Sequence, residues 1–77
     1  MILSELEIMN KIKEAKKFQK LGNFQEAEKV YAGALKDNEN SFDLIFSYAL
    51  FSKELNNFGF AKKLLVSLTK KFPSNIK

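Results

Sequence analysis

A short segment occurs twice, and its spacing limits the chain's fold more than any other feature. Residues 21–31, LGNFQEAEKVY, return in altered form as residues 55–65, LNNFGFAKKLL, an offset of 34 positions. Leu21/Leu55, Asn23/Asn57, Phe24/Phe58, Ala27/Ala61 and Lys29/Lys63 are identical across the copies, and Ala15/Ala49 and Lys36/Lys70 keep the same offset outside them. Each copy reads as one helix ending, a tight turn and a second helix starting. Self-similarity at such a period marks a repeat architecture, in which each unit buries its apolar face by stacking on neighbours.

The helical reading is carried by local chemistry along the chain. Ser4 with Glu7 three residues on forms a capping-box pattern, and Leu3 and Ile8 are spaced as a hydrophobic staple. Ile8, Ile12 and Ala15, then Phe18 and Leu21, make an apolar stripe, opposed by a basic stripe of Lys13, Lys16, Lys17 and Lys20. Gly22 supplies the left-handed residue that closes helix 1. Asn23 is expected to cap helix 2, with Glu26 completing a second capping box. Ala27, Val30, Tyr31, Ala34 and Leu35 then share one face. Lys36 to Asn40 reads as a polar linker, after which Ser41 caps helix 3.

Helix 3 differs from the rest. Phe42, Leu44, Ile45, Phe46, Tyr48, Ala49, Leu50, Phe51 and Leu55 leave almost no polar side, the pattern of a helix covered on several sides. Asn56, the second choice for a left-handed position, stands where Gly22 stood. Asn57 is expected to cap helix 4, whose face is Ala61, Leu64, Leu65, Leu68 and Phe72, and Pro73 prevents its continuation. Gly33 inside helix 2 costs about 1 kcal/mol against alanine, which predicts close approach by a neighbouring helix, of this chain or of another molecule. Tyr31 and Tyr48 are expected at core edges with hydroxyls reaching the surface.

The spacing of small and aromatic residues resembles the tetratricopeptide repeat. In a first repeat, about residues 8–41, Ala15, Gly22, Phe24, Ala27, Tyr31 and Ala34 match the family pattern. In a second, about residues 42–75, Ala49, Asn56, Phe58, Ala61, Leu65, Leu68 and Pro73 do. Lys11 and Glu14 depart from it, as do Glu39 at a proline position, Asn56 at a glycine and Leu68 at an alanine. The resemblance implies an all-α fold: one domain over residues 1–77, with a helix extension from about residue 4. Two antiparallel helix pairs would stack as a short right-handed superhelical solenoid. It also implies that first helices line a concave groove for a partner peptide or helix. By repeat register the groove candidates are Met9, Ile12, Lys16, Gln19 and Lys20, then Asp43, Phe46, Ser47, Leu50 and Lys53. Family members that clamp a C-terminal carboxylate use Lys and Asn at set groove positions, two of which hold Ile12 and Ser47 here. The implied ligand is instead a protein segment with apolar anchors and some acidic residues, bound helix-in-groove.

Composition narrows the function classes. Without Cys or His the chain has no thiolate, imidazole or zinc-type metal site, and no cofactor is expected. Glu26/Glu28 and Asp37/Glu39 lie in polar stretches, where capping and solvation explain them better than acid–base work. Gly22, Gly33 and Gly59 are scattered singly and make no phosphate loop. The formal charge is +4 and every basic residue is lysine. Lacking arginine's bidentate fork, the chain is not expected to bind nucleic acid. No apolar run approaches the roughly 18 residues a membrane span needs, and the N-terminus lacks a signal-peptide pattern, so the expected address is the cytoplasm.

The reading is therefore a non-catalytic protein–protein interaction module, an adaptor or chaperone-like scaffold. Two alternatives stand beside it. One is an N-terminal repeat domain of a longer enzyme, such as a bacterial glycosyl- or sulfotransferase. The other is a scaffold that self-associates through apolar surface on helices 3 and 4.

Overall fold

A computed structural model describes residues 4–73. Among these residues there are four α-helices and no strand: α1 (Glu5–Lys20), α2 (Phe24–Asp37), α3 (Phe42–Glu54) and α4 (Phe58–Lys71). They divide into two units, Met1–Glu39 and Asn40–Lys77, each built on one helical hairpin. The expected staple partner Leu3 lies outside the described residues.

The two tight turns are the same structure made from different residues. Leaving α1, the Gly22 N–H donates to Gln19 O at 3.1 Å and the Asn23 N–H to Phe18 O at 2.9 Å. Leaving α3, the Asn56 N–H donates to Lys53 O and the Asn57 N–H to Ser52 O, both at 2.9 Å. This is the paired pattern of a Schellman motif, which satisfies carbonyls orphaned at a helix end. It needs a left-handed residue, and Gly22 at φ 79° and Asn56 at φ 62° provide it.

The helix starts divide by chemistry. Ser4 Oγ accepts from the Glu7 N–H while Glu7 Oε1 accepts from the Ser4 N–H, each at 3.2 Å, so the first capping box forms. Ser41 Oγ accepts from the Leu44 N–H at 3.4 Å. Asn23 and Asn57 occupy the predicted cap positions but make no side-chain cap bond. Each is also the last residue of a Schellman turn. Its ψ of 68° departs from the extended values of 165° at Ser4 and 114° at Ser41. The second capping box is likewise not made: Glu26 pairs with Lys29 at 3.5 Å on the surface.

In the first unit α1 packs on α2. Ile8, Ile12 and Ala15 are buried on α1, and Ala27, Tyr31 and Ala34 on α2. The fully buried Ala15 and Ala27 allow close packing of the two helices. Tyr31 is not the expected surface-reaching edge. It is 1% exposed, and its hydroxyl donates to Gln19 Oε1 at 2.9 Å. The hydroxyl's need for a partner is met inside the hairpin. The polar linker is also more structured than its composition suggests. Asn38 is buried, and its Nδ2 donates to Ala34 O at 2.9 Å, closing the end of α2.

In the second unit α3 packs on α4. Leu44, Ile45, Tyr48, Ala49, Phe51 and Ser52 are buried on α3, and Ala61, Leu64 and Leu68 on α4. Tyr48 is buried too and meets Phe60 edge-on at 5.1 Å. The repeat explains the wider buried arc of α3. Its buried Leu44, Ile45, Tyr48 and Phe51 stand 34 positions after Asn10, Lys11, Glu14 and Lys17, all exposed on α1. Gly33 lies on the exposed side of α2. A Cβ built there meets nothing within 4 Å, so within the α1–α2 hairpin nothing makes the close approach its sequence predicts.

Candidate functional site

In the second unit the register prediction gathers its residues on one side of α3. At 100° per residue, Asp43, Phe46, Ser47, Leu50 and Lys53 fall on a single arc that also holds Glu54. Ser47 is half-buried, and Asp43, Phe46, Leu50 and Lys53 are exposed. Phe46 is 41% and Leu50 47% exposed, one turn apart on a helix otherwise buried across a broad arc. Single exposed apolar residues are ordinary on a protein surface, whereas an adjacent pair on a rigid helix is a potential anchor point.

Local packing fixes the orientation of this face. The ring of Phe42 stacks on Phe46 with centroids 6.0 Å apart, and Phe72, just beyond α4, meets Phe42 edge-on at 5.5 Å. Offset-stacked and edge-to-face pairs of this kind contribute about 0.5–1.5 kcal/mol beyond area burial. The Phe46 ring therefore rests on an aromatic neighbour that is itself held from the side. The three-ring set was not visible as a unit in the sequence. Phe72 has no aromatic counterpart in the first copy, where Asn38 stands, and only the hairpin brings it beside the start of α3.

In the first unit the prediction separates. Met9, Lys16 and Lys20 share an exposed flank of α1, joined by Lys13. Ile12 does not belong to it. At 5% exposure it is a core residue, on the same stripe as Ile8 and Ala15. Gln19 is half-buried and holds Tyr31, so its side chain serves the hairpin. Repeat register placed both in the groove because it compares positions and ignores what each helix needs for its own core.

Lys11 pairs with Glu14 at 3.8 Å and Lys29 with Glu26 at 3.5 Å, both i,i+3 surface contacts worth a few tenths of a kcal/mol. Among the described residues no group of three His, Cys, Asp or Glu is placed to hold a metal ion. No described helix is long and apolar enough to cross a membrane. Comparison with protein-family models, with curated proteins and with solved structures finds no match to this chain.

Proposed function

We propose that the chain is a non-catalytic protein–protein interaction module, an adaptor or chaperone-like scaffold of the tetratricopeptide kind. In this reading the outward face of α3 anchors a helical or extended segment of a partner protein. The observation that carries it is the Phe46–Leu50 pair, half-exposed and adjacent, with Phe46 seated on Phe42. A rigid helix presenting apolar side chains at i and i+4 offers an amphipathic segment a binding row without the entropy of ordering it. Lys53, Asp43 and Glu54 rim the pair and set the partner's register.

The arrangement of the hairpins as a short right-handed superhelix belongs to the same proposal. Its support is the 34-residue repeat and the Schellman turn made at both copies. In that arrangement Met9, Lys16 and Lys20 of α1 extend the surface, and the lysines favour acidic side chains in the partner.

The test is affinity capture from the source cell's lysate at moderate salt, comparing wild type with the double variant Phe46→Asp, Leu50→Asp. A protein retained by wild type and lost by a variant of unchanged helicity supports the reading. Equal retention by both would move the site away from α3.

A further inference from the structure

The net charge of this chain is concentrated in one place. Met1–Glu39 balances seven lysines against seven acidic residues, whereas Asn40–Lys77 sets six lysines against two, so the whole +4 lies in the second unit. Four of those lysines, Lys62, Lys63, Lys70 and Lys71, are on α4, which has no acidic residue. Lys70 and Lys71 complement the negative end of the helix, but Lys62 and Lys63 lie far from it. Lys62, Lys63 and Lys70 make no ion pair among the described residues.

The same helix exposes apolar side chains beside these charges. Ala61, Leu64 and Leu68 occupy the buried side of α4, yet Phe58 is 59%, Leu65 42% and Val66 44% exposed. Phe58, Lys62, Leu65, Val66 and Thr69 follow i, i+4, i+7, i+8, i+11 spacing, one continuous side about 16 Å long. Lys63 and Lys70 flank it at the Val66 edge. In the first copy of the repeat the position of Leu65 is held by Tyr31, which is buried and hydrogen-bonded to Gln19; Lys53 stands in place of Gln19, and Leu65 is left outside.

We infer that this side of α4 docks on an anionic lipid bilayer surface, with Phe58, Leu65 and Val66 entering the headgroup boundary and the lysines meeting lipid phosphates. A bilayer interface offers negative charge directly above hydrocarbon over a flat plane, the combination this side complements. Lysine, a point charge on a flexible stem, needs no fixed partner geometry there. A defined acidic protein site would gain from arginine's planar fork, which the chain lacks. Nucleic-acid backbone has no place for the aliphatic Leu65 and Val66. A second copy joined by a two-fold contact would set one lysine-rich side against an identical one. Because the opposite side of α4 is held in the hairpin core, the helix is already formed before it lands. The association is peripheral and does not depend on the partner-binding reading of α3.

The test is co-sedimentation of the full chain with vesicles of phosphatidylcholine alone and of phosphatidylcholine with about a third phosphatidylglycerol. Binding should occur only to the anionic vesicles and weaken as salt is raised. Reversing Lys62, Lys63 and Lys70 to Glu should weaken it by about a hundredfold or more. The variant Leu65→Ser, Val66→Ser, at positions whose exposure spares the fold, should weaken it by roughly tenfold. Reversing Lys13, Lys16 and Lys17 on α1 changes net charge equally and should have a much smaller effect. Phe46→Asp, Leu50→Asp should leave the α4-specific losses in place, which separates this inference from the previous one. Equal losses for the α1 and α4 reversals would overturn the inference, as would binding indifferent to Leu65 and Val66. Absence of vesicle binding would also overturn it. The side would then belong to a second copy if solution mass showed a dimer lost in Leu65→Ser, Val66→Ser, and to an acidic protein helix if the chain were monomeric.

Discussion

Two glycine-to-alanine changes in this chain should have opposite signs, and the pair isolates backbone conformation from packing. Gly33 is in the interior of α2 and exposed, and a Cβ there would meet nothing within 4 Å. Alanine at this position gains helix propensity with no steric charge against it, a stabilisation of about 0.8–1.0 kcal/mol. Gly22 also has nothing within 4 Å of a Cβ, but its φ of 79° is left-handed. Alanine there must bear about 1–2 kcal/mol of backbone strain or break the turn. In a domain of this size each kcal/mol moves the melting temperature by roughly 4–8 °C. Urea titration followed by far-ultraviolet circular dichroism reads both, as shifts of the midpoint at constant slope. Gly33→Ala should raise the midpoint and Gly22→Ala lower it. A neutral or destabilising Gly33→Ala would refute the reasoning, because it would require a neighbour packed on α2.

Three further outcomes follow from particular contacts. Ser4→Ala should destabilise by about 1 kcal/mol through loss of the capping box, whereas Asn57→Ala should change stability by only a few tenths because its side chain makes no cap bond; thermal melts distinguish them. Tyr31→Phe should cost about 1 kcal/mol by removing the hydroxyl's bond to Gln19, and Gln19→Ala in the Tyr31→Phe background should add less than it does alone, a coupling that a double-mutant cycle measures. Ile12→Ala should destabilise by about 2–4 kcal/mol as a core truncation, while Leu50→Ala, at a site 47% exposed, should cost under about 1.5 kcal/mol; equal costs in denaturant would contradict the assignment of Ile12 to the core and Leu50 to the surface.

The parts of the fold legible from sequence were those decided within a few residues. The repeat, the left-handed Gly22 and Asn56, the Ser4–Glu7 capping box and the Ser41 cap depend on local chemistry and appear where the sequence puts them. Asn23 and Asn57 misled because each position has two roles. Closing the preceding helix fixes a backbone angle that the cap on the next helix does not favour. The buried tyrosines and Asn38 were misread for a different reason. Whether a polar atom can be buried depends on a partner in the folded chain, and Gln19 is twelve positions from Tyr31. For the candidate site, the α3 residues named by register share one arc of the helix, whereas Ile12 is committed to the core of its own hairpin and Gln19 to Tyr31, since α1 has few apolar residues. The aromatic support from Phe72 emerges only when α3 and α4 are paired, and the apolar side chains left outside beside the lysines of α4 only when exposure is known.

The absence of cysteine makes the central claim directly measurable by thiol labelling. Single variants Leu50→Cys and Val66→Cys start from similar exposure, 47% and 44%, on α3 and α4 respectively. Each would be labelled alone and then with the protein captured from lysate. Partner binding through α3 predicts that both label at comparable rates in the free chain, and that the partner slows Leu50→Cys strongly while leaving Val66→Cys unchanged. Continued rapid labelling of Leu50→Cys in the complex, or protection of Val66→Cys instead, would contradict it.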